Sequence, residues 1–295
     1  MIDKTAMIAV TGRPNVGKST LVNTLVGEKI AIVSDKPQTT RNRISGIVNR
    51  GSTQLILLDT PGYHKARTKL GEYMVRTAGG SVSGVDAAAL LVEPVPEIGP
   101  QEKALFERFR EEKVPVILVI NKIDTVKKEA LLRVISAYAE AYPFEAVVPV
   151  SAKTGDGMED LLEELLKYAM DGPQLFPEDM VTDQPERQIV AEIVREKLLI
   201  CLDREVPHGT AVEVTKFSER PDGLIDLDVT IYCEKDSHKG IIIGRNGAML
   251  KKIGVLARTD IEQMLDTKVF LQTWVKVKEN WRNSDVMIKN FGYTE

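Results

Sequence analysis

The chain has 295 residues, 43% of them apolar and 28% charged, with a net charge of −4. That length accommodates two domains with separate cores, and that charge excludes a polybasic protein that coats an anionic surface all over. No apolar run approaches the ~18 residues of a membrane span, and the N-terminal MIDKTAMIAV lacks the charged start and long apolar core of a secretion signal; a cytoplasmic protein is expected. Cys201 and Cys233 each sit inside an apolar pattern, which reads as core thiols in a reduced compartment, with no disulfide framework or metal cluster.

In chain order, short apolar runs at 7–10, 44–49, 54–58, 87–92, 116–120 and 146–150 alternate with helical patterns at 18–26, 101–111, 127–141 and 158–170. This alternation predicts an α/β fold, a mostly parallel six-stranded sheet with helices on both faces. The tripeptide 50–52 reads as a hairpin, so one edge should be antiparallel. DGPQLFPEDMVTDQPE follows, with three prolines, an acidic bias and no period, which reads as a linker. Beyond it come an amphipathic helix at 187–202, strands at 210–217 and 224–233, a helix at 248–265 and a strand at 268–277. The order is α-β-β-(α)-α-β, a small α+β domain. The expected organisation is therefore 1–172, a linker at 173–185, and 186–295.

GRPNVGKS at 12–19 follows a predicted strand and opens a helix. This context suits a phosphate loop, in which inward backbone N–H groups and a helix N-terminus cradle phosphate oxygens. Gly12, Arg13, Pro14, Asn15, Val16 and Gly17 form the loop, and Thr20 continues the helix. Lys18 reaches the β/γ-phosphates and Ser19 ligates Mg²⁺. DTPG (Asp59, Thr60, Pro61, Gly62) ends the 54–58 strand, placing Asp59 at Mg²⁺ through water and the Gly62 N–H at the γ-phosphate. NKID ends the 116–120 strand, bringing Asn121 and Lys122 to the site. The Asp124 carboxylate can accept from both N1–H and the exocyclic amine of guanine, an arrangement adenine lacks. A buried carboxylate left unpaired would reject adenine. SAK (Ser151, Ala152, Lys153) ends the 146–150 strand, with the Ala152 N–H at guanine O6. All four motifs lie at carboxyl ends of strands, where open α/β sheets bind ligands.

SDKPQTTRNR precedes the second strand, where a first switch loop would lie. A threonine hydroxyl there would close onto Mg²⁺ in the triphosphate state; Thr40 is preferred and Thr39 is the alternative. GYHKARTKLGEYM would be the second switch. Tyr63 stands where a water-orienting glutamine could follow DTPG, so intrinsic turnover should be slow; His64 is a weak candidate base. Lys18, Thr40 and Gly62 are the catalytic candidates.

In the second half, Lys235, Lys239, Arg245, Lys251, Lys252 and Arg258 face a single acid, Asp236, between 235 and 258. At their centre is Gly244-Arg245-Asn246-Gly247. A bare GxxG is a helix-initiating turn as readily as a site. Between two helices on a small sheet, though, it matches the KH module, whose glycines let a single-stranded backbone approach closely. Lys239, Gly240, Ile243, Gly244, Arg245, Asn246, Gly247, Lys251 and Lys252 are the RNA-binding candidates.

The G motifs resemble the translation-factor class of small GTPases. Together, GRPNVGKSTLVNTLVG, QTTRNRISGI, DTPGYH, NKID, SAK and GIIIGRNGAMLKKIG are similar to the Era family of GTPases over essentially the whole chain. The resemblance implies GTP and GDP as ligands with Mg²⁺, and it adds Asn15 as a catalytic candidate that accompanies K⁺ beside the phosphates. It also implies a type II KH domain that binds the single-stranded 3′ end of 16S ribosomal RNA in 30S subunit assembly. A monomer with peripheral inner-membrane contact is implied as well. Two other readings have sequence requirements of their own. A membrane-acting GTPase needs an exposed apolar stripe, whereas 249–265 reads as core-facing. A tRNA-modifying GTPase needs a reactive cysteine, which neither Cys201 nor Cys233 resembles.

Overall fold

The structure, a computed structural model, describes residues 2–36, 38–62 and 66–293. The chain divides into two units. Unit 1 holds residues 1–31, 40–66 and 73–183; unit 2 holds 32–39, 67–72 and 184–295.

Unit 1 runs β1 (Lys4–Gly12), α1 (Lys18–Val26), β2 (Ile44–Arg50), β3 (Thr53–Asp59), α2 (Lys69–Gly80, whose first turn belongs to unit 2), β4 (Ala87–Val92), α3 (Pro100–Glu112), β5 (Val116–Ile120), α4 (Lys128–Ala141), β6 (Ala146–Pro149), α5 (Met158–Leu166) and β7 (Met170–Asp171). The sheet order is β2-β3-β1-β4-β5-β6, with β2 antiparallel to β3 and the remaining neighbours on this path parallel. The two-residue β7 pairs antiparallel with β1. Helices on both faces explain why the central strands are continuously apolar. Ala87, Ala89 and Leu91 of β4 join a core with Leu21, Leu161 and Leu165. Ala88, Leu90 and Val92 join the opposite core, with Leu105, Phe109 and Tyr138.

Two expected elements change. The helix placed at 158–170 stops at Leu166, because the chain turns so that Met170 can pair with Thr5 of β1. The stretch read only as a switch contains α2, with Leu70, Tyr73 and Met74 buried.

Residues 173–183 lie along the β2 edge. The buried Gln54 amide accepts from the Leu175 and Phe176 N–H groups and donates to the Phe176 carbonyl. The Ile47 N–H donates to Val181 O at 2.9 Å, and Ser45 Oγ donates to Asp183. These bonds cover an edge strand whose backbone groups would otherwise stay open.

Unit 2 carries α6 (Glu186–Cys201), β8 (Ala211–Glu219), β9 (Ile225–Cys233), α7 (Asp236–Ile243), α8 (Ala248–Leu265), β10 (Val269–Val277) and α9 (Asp285–Asn290). The sheet order is β10-β9-β8, with β9 antiparallel to β8 and parallel to β10. Val190, Val194 and Leu198 of α6 and Ile253, Ala257 and Ile261 of α8 pack on Leu227, Val229 and Ile231. The fully buried Trp281 donates its indole N–H to Gly209 O and meets the Phe291 ring edge-on. Among the described residues, no helix is long and apolar enough to cross a membrane.

Candidate nucleotide and nucleic-acid sites

The loop between β1 and α1 is shaped by contacts from the loops after β3 and β5 and from α3. Gly17 caps α1 at φ 101°, and a side chain there would run into the Asn121 amide. Asn121, itself buried, donates Nδ2–H to the Val16 carbonyl at 2.8 Å and accepts the Ala152 N–H at 3.0 Å. One amide thus joins the phosphate loop to the loop after β6. Lys122 adds a second tie, donating to the Asn15 carbonyl at 2.7 Å while paired with Glu93. Asn15 is held at φ 66°, and Arg13 pairs with the buried Glu102 of α3. Gly62 packs against Pro14, whose Cα lies 2.8 Å from where a Cβ on Gly62 would fall. Thr60 Oγ1 donates to the Val10 carbonyl, and Pro61 is buried beside it. Thr20 is half-buried on α1, and Lys153 is exposed.

Lys18 is buried and donates to the Gly12 and Arg13 carbonyls at 3.1 and 2.9 Å. Burial pulls its ammonium down to about 8, against the opposing pull of Asp59. Burial pushes the Asp59 carboxyl up to about 6, opposed by Lys18 and by the Ser19 hydroxyl. Ser19 Oγ donates to Asp59 Oδ2 at 2.6 Å and lies 2.9 Å from Thr40 Oγ1. Asp59 Oδ1 is buried without a hydrogen-bond partner. Two hydroxyls and a carboxylate with an unused buried oxygen form an all-oxygen donor set, which suits Mg²⁺. Of the two threonines considered, Thr40 reaches this cluster. The Thr39 hydroxyl instead donates to the Lys36 carbonyl at 2.6 Å.

At the base end, Ser151 Oγ donates to Asp124 Oδ1 at 2.7 Å, which orients that carboxylate. Two expectations change here. Asp124 is exposed, not buried. The Ala152 N–H, expected at guanine O6, is committed to Asn121 Oδ1, because Asn121 has to bridge two loops. Tyr63 and His64 lie outside the described residues.

In unit 2, α7 ends as the Gly244 N–H donates to Gly240 O at 2.9 Å, and Gly244 takes φ 71°, ψ 176°. Lys239 and Ile243 are half-buried on α7, while Arg245, Asn246, Lys251 and Lys252 are exposed. A groove of about 360 Å³ leads away from this turn. Gly247, Leu250, Lys251, Gly254, Val255 and Arg258 of the turn and α8 line one side, with Leu271 and Thr273 of β10 opposite. Sequence reasoning found the mouth of this groove and missed its floor. The signal was available: 247, 250, 251, 254, 255 and 258 recur at helical spacing, so α8 carries a second stripe beside its core face of Ile253, Ala257 and Ile261.

A family model for 50S ribosome-binding GTPases matches residues 7–122, and one for KH domains matches 205–282. GTPase Era of Ruminiclostridium cellulolyticum is 55% identical over 290 residues, covering 98% of this chain and 97% of that protein. GTPase Era of Alkaliphilus metalliredigens is 50% identical over 291 residues, covering 98% and 99%. The crystal structure of Era in complex with MgGDPNP and nucleotides 1506–1542 of 16S ribosomal RNA superposes with a TM-score of 0.95 at 36% identity, covering 99% of this chain and 100% of the other. A tyrosine-to-alanine variant of Aquifex aeolicus Era bound to GDP·AlF4⁻ gives 0.95 at 37% identity with the same coverage. The chain belongs to the Era family of GTPases.

Proposed function

We propose that this chain is a GTP-hydrolysing switch that grips the single-stranded 3′ end of 16S ribosomal RNA in the groove behind Gly244–Gly247 and assists small-subunit assembly. The observation that carries the enzymatic part is the convergence of Ser19, Thr40 and Asp59 oxygens beside the buried Lys18. Lys18 would leave the loop carbonyls for the β- and γ-phosphates. Ser19, Thr40 and Asp59 would hold Mg²⁺, which supplies charge neutralisation as the γ-phosphoryl departs. Gly62, packed on Pro14, offers its N–H to the γ-phosphate, and Asp124, set by Ser151, reads guanine.

The RNA part is supported by the groove and by the relative captured with 16S RNA. Glycines at 247 and 254 leave room for a nucleotide backbone. Lys251 and Arg258 supply phosphate contacts, and Leu250 and Val255 offer apolar surface to bases. The test is the Kd for a 16S 3′-end oligonucleotide, measured with GDP and with a non-hydrolysable GTP analogue. Tighter binding in one state supports the switch. Equal values reject the switch, and absence of binding in both rejects the RNA assignment.

A further inference from the structure

With the Ala152 N–H held by Asn121, guanine O6 lacks the donor expected for it, and the same loop offers another. Ala152 is buried, and its backbone is held on two sides. Its N–H donates to Asn121 Oδ1 at 3.0 Å, and its carbonyl accepts the Thr24 hydroxyl at 2.8 Å. Thr24 is exposed on α1, 128 positions earlier in the chain. Thr24, Asn121, Ala152 and Lys153 all lie in unit 1. The Thr24 hydroxyl has one proton and also faces the Thr20 carbonyl, one turn back, at 2.9 Å. That carbonyl is already served by the N–H ladder of the helix. Among the described residues, Thr24 is the one group that donates to the Ala152 carbonyl.

A trans peptide unit is planar, so a carbonyl fixed on one side fixes the next residue's N–H on the other. The unit that carries the Ala152 carbonyl also carries the Lys153 N–H, which therefore points away from α1. Among the described residues this N–H has no hydrogen-bond partner. On the other side of Ala152, Ser151 holds Asp124, the carboxylate that reads N1–H and the exocyclic amine. We propose that Thr24 is a positioning residue for guanine recognition: by holding the Ala152 carbonyl it presents the Lys153 N–H to guanine O6. The inference rests on the guanine-nucleotide reading above. Asp124 then supplies the acceptor and Lys153 the donor that guanine requires. Adenine carries an amine where guanine has O6, so the fixed N–H would meet a second donor and stay unpaired. An untethered loop could turn that peptide to escape the clash, and the Thr24 hydroxyl opposes the turn.

The test measures the Kd of GDP and of two analogues in the full-length chain. The 6-thio analogue replaces O6 with sulfur, a weak acceptor, and keeps N1–H and the exocyclic amine. Inosine diphosphate keeps O6 and lacks the amine. Thr24→Val deletes the hydroxyl at an exposed position and should weaken GDP by about threefold to tenfold, the worth of one hydrogen bond. The 6-thio analogue gains little from the donor in the wild type, so it should weaken less, and the preference for GDP over it should shrink. The preference for GDP over inosine diphosphate should keep its wild-type value, because Asp124 sets it. Thr24→Ala, the same deletion with a better helix former, should behave like Thr24→Val. Thr24→Ser keeps the hydroxyl and should restore the wild-type pattern. Equal weakening of all three nucleotides marks a purely structural role and overturns the proposal. So does wild-type GDP affinity in Thr24→Val and Thr24→Ala. A wild-type chain that binds no GDP would instead reject the guanine-nucleotide reading.

Discussion

The two glycines of the GxxG turn should fail in different ways when each is changed to alanine. Gly244 sits at φ 71°, ψ 176°, a region that only glycine enters freely, at a cost of about 1–3 kcal/mol for other residues. A Cβ there would also lie 2.7 Å from Met249 Cβ and 3.0 Å from Met249 N. Relieving that overlap shifts the first turn of α8, for about another 1–3 kcal/mol. Gly244→Ala should therefore destabilise unit 2 by about 4 kcal/mol. Gly247 sits at φ 77° and a Cβ would meet nothing within 4 Å. Its strain of about 1 kcal/mol is offset in part by the reduced freedom of the unfolded chain, about 0.4–1 kcal/mol. Gly247→Ala should therefore leave stability nearly unchanged, yet place a methyl group where the nucleic-acid backbone passes. Both tryptophans, Trp274 and Trp281, lie in unit 2, so urea unfolding followed by tryptophan fluorescence reports this unit alone. RNA affinity follows from fluorescence anisotropy. Equal stabilities for the two variants would refute the steric argument. Wild-type RNA affinity in Gly247→Ala would refute the close approach.

The other expectations are more direct. Asp124→Asn should shift preference from guanine towards xanthine nucleotides by at least about a hundredfold, read from competition binding. Arg245→Asp with Asn246→Asp should weaken RNA binding and reduce the slope of log Kd against log salt by about one. In nucleotide- and Mg²⁺-free protein the folded Asp59 titrates near 6, above its unfolded value of 3.8. The native state then binds more protons at this group over this window, so the contribution of Asp59 to stability is greatest below pH 4 and falls as pH rises to 6, by up to about 3 kcal/mol; Asp59→Asn should flatten that limb. Replacing Na⁺ with K⁺ should raise kcat if the asparagine at 15 serves a potassium ion, and equal rates would exclude the ion.

Much of unit 1 was legible because its strands are buried on both faces and therefore appear as uninterrupted apolar runs. Residues 87–92 and 116–120 have the same limits in the sequence and in the structure. The motifs at 12–19, 59–62, 121–124 and 151–153 were readable for a related reason. Each begins where such a run ends, and the fold gathers those ends. What the sequence hid depends on a side chain's distant partners. Gln54 looks like an ordinary polar residue at a strand end, yet it fixes residues 175–176. Asn121 was expected at the nucleotide, but its amide spans two loops and consumes the Ala152 N–H. The stripe 247–258 was masked by a neighbouring core stripe on the same helix.

Arg195, Glu196 and Lys197 show why periodicity misleads at such places. An amphipathic helix with charges on one side predicts that those charges face water, since a solvated face is the least costly place for them. Here the polar side is covered by residues 32–39, a segment more than 150 positions earlier in the chain. Covering three charges with apolar chain would have been prohibitive. Covering them with a loop rich in backbone donors and acceptors gives two of them a partner, a carbonyl for Arg195 and an N–H for Glu196, while Lys197 pairs with the carboxylates of Glu196 and of Asp260 on α8. A neutral replacement on α6 would leave those loop groups unpaired, so the same pairing that permits the burial also makes the loop sensitive to this helix.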